Sequence, residues 1–168
     1  VAGLMNYDIF VTGLSSIRNL PKETTSYTWT GLNSLTEYTV RIVPFGLNGT
    51  VKSLGDSYTG NYTTGPSEVT NLVSSSITET SLTLSWTGAD GATDYHISAE
   101  PILGTRIVQG TSNIFEGLDP NTDYNFTITS YNIDGLEGGS RSSGNIRTAP
   151  AAVTGLSNSV THDSITLS

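Results

Sequence analysis

The sequence predicts an all-β chain built of tandem β-sandwiches. Three observations predict it. Apolar and polar residues alternate in short runs, Gly, Asn, Asp and Pro clusters separate those runs, and the pattern recurs after some 84 to 88 residues. No stretch sustains a 3.6-residue period, so nothing in the sequence argues for an amphipathic helix.

The elements follow in order. "AGLMNYDIF" near the N-terminus aligns with "DGATDYHIS", placing Tyr7 on Tyr95, 88 residues apart. "GLNSLTEYTVRIVPFGLNG" from Gly31 aligns with "GLDPNTDYNFTITSYNIDG" from Gly117, 86 residues apart. "TGPSEVTNL" aligns with "TAPAAVTGL", with Pro66 on Pro150, 84 residues apart. Short loop insertions and deletions account for the drift. Within these blocks, Tyr38, Val40 and Ile42 alternate with polar or charged neighbours. Leu82, Leu84 and Trp86 do the same against Ser81, Thr83 and Ser85, and Tyr124, Phe126 and Ile128 against Asn125, Thr127 and Thr129. Successive strand side chains point to opposite faces, so each run reads as a strand with one buried face.

Composition bounds the function. Hydrophobic residues make up 35% and charged residues 13%, too apolar and too weakly charged for a disordered tail. The formal charge is −8 with only seven Lys and Arg, which sets nucleic acid and anionic membrane surfaces aside as partners. There is no cysteine, which excludes disulfides, thiolate catalysis and Cys-based zinc sites within the chain. No apolar run approaches the ~20 residues of a membrane-spanning helix, so direct membrane insertion is not expected.

The run "PSEVTNL…SLTLSW…ATDYHIS…FEGLDPNTDYNFTI" resembles a fibronectin type III repeat, an immunoglobulin-like sandwich. The matching residues are Pro66 opening the repeat, Trp86 ending strand B, Tyr95 in strand C, and Leu118-x-Pro120-x-Thr122-x-Tyr124 entering strand F. The resemblance implies that Trp86, Leu118 and Tyr124 lie in the core and that the Tyr124 hydroxyl bonds back to nearby backbone. It implies the same for Tyr38 of the first copy, where Leu32-x-Ser34-x-Thr36-x-Tyr38 lacks the proline. That departure should loosen the turn slightly without changing the fold. Trp29 aligns with Phe115 on strand E and reads as core.

With this register, residues 1–65 carry a repeat lacking strands A and B, residues 66–149 a complete repeat, and residues 150–168 strands A and B of a following one. The first sheet should then expose the face that strands A and B cover, around Tyr7, Ile9 and Trp29. Two resolutions are open: a longer continuous array, or donation of residues 151–168 by one copy to the next. The array is the simpler, since donation also needs an assembly pathway. Either way, the segments 153–159 and 164–168 should pair with a sheet of this kind.

Motifs carrying chemistry are few. Asn48, Asn61 and Asn125 head Asn-x-Thr sequons and are candidate glycosylation sites. Ile133-Asp134-Gly135 resembles an adhesion tripeptide of tenascin-like proteins, although Asn-x-Asp-Gly is also ordinary turn chemistry. Leu54-Gly55-Asp56-Ser57 lacks the arginine of an Arg-Gly-Asp site. His96 and His162 read as outward-facing with no sequence-near partner, and no catalytic, metal-binding or cofactor-binding motif occurs.

Function is therefore read from the resemblance. The chain is expected to be a non-catalytic, extracellular structural or adhesive module of a longer array or fibre. Its expected partners are neighbouring repeats or head-to-tail copies of itself, with cell-surface or matrix proteins beyond them. The alternatives are a ligand-binding receptor ectodomain, such as the arrays of receptor tyrosine phosphatases, and a spacer in a secreted bacterial enzyme.

Overall fold

A computed structural model describes residues 4–46 and 56–168. The described residues hold thirteen strands and no helix. β1 (Leu4–Val11), β2 (Ile17–Pro21), β3 (Glu37–Gly46) and β4 (Tyr58–Thr63) form one antiparallel sheet in the order β2-β1-β3-β4. β5 (Thr70–Ser75), β6 (Ser81–Thr87) and β9 (Ser112–Glu116) form a three-stranded sheet, order β5-β6-β9. β7 (Asp94–Glu100), β8 (Arg106–Val108), β10 (Asp123–Tyr131) and β11 (Glu137–Arg147) form a four-stranded sheet, order β11-β10-β7-β8. The strand order of the first sheet repeats that of the last.

The three- and four-stranded sheets close a sandwich over the alternating residues. Val69, Leu82, Leu84, Phe115, Phe126 and Ile128 are almost wholly removed from water, and Trp86, Leu118 and Tyr124 are buried beside them. Trp86 meets Tyr95 edge-on, 5.5 Å between centroids, and Phe115 tilts against Phe126 at 4.6 Å. Both geometries suit the ring quadrupole.

The first sheet differs, and the difference has a physical cause. A strand E aligned with β9 was expected around Trp29, yet residues 22–36 form no strand. In the sandwich, β9 exists by pairing with β6 from Ser81↔Glu116 to Ser85↔Ser112. Among the described residues of 1–65 no strand takes the place of β6, so the backbone groups of the Trp29 segment have no ladder to join there. The segment instead lies over part of the sheet's inner face. Trp29 and Leu32 pack half-buried against a small cluster of Ile9, Val11 and Tyr38, which are buried. Exposure of that face is therefore partial: grooves remain on both sides of Trp29, one lined by Tyr7, Leu20, Tyr27 and Ile42, the other by Val11, Leu32, Tyr38 and Tyr62.

The C-terminal segment also departs from expectation. Its strands shrink to β12 (Asn158–Val160) and β13 (Ile165–Leu167), and these pair with each other rather than with a larger sheet.

Candidate functional site

The segment that leaves each tyrosine-capped turn, at residues 64–66 and 148–150, is built twice from the same parts. In the second copy, the Tyr124 hydroxyl accepts the Asp119 amide at 3.0 Å. The Thr148 hydroxyl donates to the Asp119 carbonyl at 2.6 Å and accepts the Thr122 amide at 2.9 Å. The Thr148 amide reaches the Thr122 carbonyl, and the Asn121 amide reaches the Ala149 carbonyl, each at 3.0 Å. In the first copy Tyr38 accepts the Asn33 amide at 3.0 Å, and Thr64 donates to the Asn33 carbonyl at 2.6 Å. The Thr36 amide reaches the Thr64 hydroxyl, and the Leu35 amide the Gly65 carbonyl, each at 3.0 Å. Ser34 in place of Pro120 costs no bond of this set.

Two tethers thus bind each linker: the tyrosine holds the turn, and the threonine sews the outgoing chain to it. Thr148 is buried, so its hydroxyl satisfies groups that water does not reach. Arg147, one residue earlier, grips the Asp123 carboxylate with two nitrogens at 2.8 and 2.6 Å. This hydrogen bonding holds the Asp123 carboxyl below its ordinary pKa and raises that of Arg147.

The far side of the first link is equally close-fitting. A β-carbon at Gly65 would collide with the backbone carbonyl of Glu137 at the start of β11, so glycine is required there. The Gly139 amide donates to the Pro66 carbonyl at 2.9 Å, and the Ser130 hydroxyl to the Ser67 carbonyl at 2.6 Å. Leu35 and Asn121 occupy the same position in the two copies, both with φ of 49°. Asparagine tolerates that left-handed backbone, whereas leucine is strained by roughly 1–2 kcal/mol. The strained leucine has a use: its side chain sits against Gly91, where any β-carbon would strike it.

The remaining candidates lie apart from the links. Asn61 is exposed on β4, its amide 3.4 Å from Glu37. Asn125, on the outer face of β10, is half-buried and accepts the Ser142 hydroxyl at 2.7 Å. Asn48 lies outside the described residues, as do Leu54 and Gly55. Ile133, Asp134 and Gly135 are exposed on the turn between β10 and β11. Asn132 makes that turn, its side-chain oxygen accepting the Asp134 and Leu136 amides at 3.0 and 2.8 Å.

Both histidines do have a partner close in sequence: the His162 ring lies 3.5 Å from the Asp163 carboxylate, both side chains exposed, and His96 is the more enclosed. Asp94, on the same face of β7, lies 3.0 Å from its ring nitrogen, and Tyr131 stacks on the ring at 3.9 Å. The i, i+2 spacing of Asp94 and His96 on one strand was the signal for this pair. Tyr131 in turn donates to Glu137 at 3.1 Å, and burial followed by this bond raises its pKa. Among the described residues, no three His, Asp or Glu side chains converge as a metal site would require.

A family model described as Fibronectin type III domain matches residues 67–145. The chain is 33% identical over 152 residues to the receptor-type tyrosine-protein phosphatase eta of Gallus gallus, covering 88% of this chain and 11% of that protein. It is 30% identical over 135 residues to chitinase A1 of Niallia circulans, covering 74% of this chain and 19% of that protein. Among solved structures, a two-domain fibronectin type III segment of chicken tenascin aligns with a TM-score of 0.49. It is 29% identical and covers 88% of this chain and 87% of that one. The chain thus spans under a fifth of the length of these two curated relatives.

The threonine clamp predicts a specific substitution pattern. Thr148→Val keeps the shape but strands the Asp119 carbonyl and the Thr122 amide, and should cost about 2–3 kcal/mol. Thr148→Ser, which keeps the hydroxyl, and exposed Thr154→Val should each cost well under half of that. Urea unfolding of the chain measures all three. Equal losses for Thr148→Val and Thr154→Val would remove the clamp from the account.

Proposed function

With residues 67–145 a fibronectin type III domain, we propose that the chain is a non-catalytic structural module working outside the cell, one link of a longer repeat array or fibre. Its mechanism is spatial. Each sandwich is a rigid unit about 30–40 Å long, from strand rise and end loops. The residues that matter are those of the link rather than a catalytic set. Thr64 ties the outgoing chain to the turn of the first unit, Gly65 lets it press on the second, and Leu35 seats on Gly91. The observation that carries this reading is the repetition of the clamp at both links, where Thr64 and Thr148 each tie the outgoing chain to the turn of the unit it leaves.

The compartment belongs to the same proposal. It draws on the name of a receptor-type relative and on sequons at Asn48, Asn61 and Asn125. A receptor ectodomain is the second reading, favoured by the 33% identity to a receptor-type phosphatase. In that reading the same links space a ligand-binding surface, and adhesion through Ile133, Asp134 and Gly135 would be one use of it.

Two experiments test the proposal. Residual dipolar couplings should fit one alignment tensor for β1–β4 and the sandwich together. Leu35→Asn, which relieves the left-handed strain but removes the contact with Gly91, should release the two into separate tensors without lowering stability. Separate tensors in the unaltered chain would contradict a fixed link. Secretion from a eukaryotic host should add glycan mass to peptides containing Asn61, where the side chain is exposed. Secreted protein with every sequon bare would argue against the extracellular glycoprotein.

A further inference from the structure

The turn that receives Leu35 is built onto the core of the sandwich. It spans residues 89–92, with the Ala92 amide bonded to the Ala89 carbonyl at 3.1 Å and Gly91 in a left-handed conformation, φ 71°. The buried Tyr95 hydroxyl accepts the Ala89 amide at 3.2 Å, and the Tyr95 ring meets Trp86 edge-on. Gly88 allows this approach, since a β-carbon there would run into the Tyr95 hydroxyl. The turn is held by its own core and needs no neighbour to shape it.

The corner that presents Leu35 is held as firmly. The Leu35 amide donates to the Gly65 carbonyl, and Tyr38 grips the same corner through the Asn33 amide. Asn121 shows that this corner does not itself call for leucine. It keeps the same φ and the same amide bond, to Ala149, with a short polar side chain. In the complete sandwich Asn121 is exposed, so the position belongs to no core. A leucine that strains its backbone at such a position, 41% exposed, has its use outside its own unit.

Two constraints meet at position 91. The left-handed backbone admits glycine or, at small cost, asparagine. Leu35 removes asparagine from that choice, because its Cδ1, Cδ2 and Cγ lie 2.5, 2.9 and 3.3 Å from the place of a β-carbon at 91. The space takes one side chain, and Leu35 fills it. In the alignment of the two copies Gly3 falls on Gly91, so both carry the receiving glycine, while only the first carries the corner leucine. We infer that residues 35 and 91 form a selection pair: a leucine corner admits as its next neighbour only a fibronectin type III repeat whose corresponding turn carries glycine. Asn121, shorter and polar, makes no such demand, so the two corners of this chain differ in the neighbours they admit. The exclusion works by a clash against the wrong neighbour as much as by contact with the right one. This deepens the reading of the chain as one link of an array and rests on it, since selection acts on the order of repeats, which a fixed link alone does not set.

Three variants of the full chain test the pair: Leu35→Gly, Gly91→Asn, and the two together. Glycine and asparagine both tolerate left-handed backbone, so each variant should keep the urea midpoint of the sandwich. Residual dipolar couplings then report whether β1–β4 and the sandwich share one alignment tensor, as expected of the unaltered chain. Gly91→Asn should split the tensor in two, because two side chains contend for one space. Leu35→Gly should split it because the space is empty. The double variant, with one side chain for the space again, should return to one tensor. One tensor in Gly91→Asn, or two in the double variant, overturns the selection pair while leaving the fixed link standing. So does a midpoint that Gly91→Asn lowers equally with Leu35 and with glycine at 35, since glycine would then be a demand of the turn alone. Two tensors in the unaltered chain contradict the fixed link itself, and the pair with it.

Discussion

A β-strand keeps its place only when its backbone groups have a ladder to join, and in this chain one pairing, β6 with β9, decides where a sandwich exists. β6 lies between β5 and β9, pairing with both, and presents Leu82, Leu84 and Trp86 to the opposite sheet. Where it is present, the core closes and Phe115 disappears from solvent. Among the described residues of 1–65, which hold no such strand, the segment holding Trp29 is irregular although its sequence still alternates like a strand. Local propensity is the same in both copies, so the difference lies in the partner.

The links follow from the same accounting. A chain leaving a sandwich carries amides and carbonyls that need partners, and the Thr64 and Thr148 hydroxyls provide them at the turn fixed by Tyr38 and Tyr124. What would be a flexible tether becomes an extension of the sheet. Leu35 then extends the contact to Gly91 in the neighbouring unit. The rigid link proposed above would rest on hydrogen bonds that each repeat needs for its own stability.

Much of this was legible in the sequence because strands and corners are local. Alternation located the buried faces around Tyr38, Leu82 and Phe126, and the family resemblance carried by Leu118-x-Pro120-x-Thr122-x-Tyr124 implied the corner. What escaped was nonlocal or concerned backbone shape. The loss of the Trp29 strand depends on a partner 33 residues away in the complete copy, as Leu82 and Phe115 show. The left-handed Leu35 carries no side-chain signature, and its purpose appears only when Gly91 is beside it. The Asp94–His96 pair was readable from its i, i+2 spacing on β7, whereas the stacked Tyr131 ring comes from the neighbouring strand β10 and was not.

Hydrogen exchange tests the dependence of strand on partner most directly. In dilute monomer, the amides of residues 112–116 that bond to β6 should exchange only with global opening of the sandwich. Those of residues 26–30 should exchange orders of magnitude faster, close to the rates of exposed turns. Comparable protection of the two segments in the monomer would contradict the account, because strand order at Trp29 would then not require a β6.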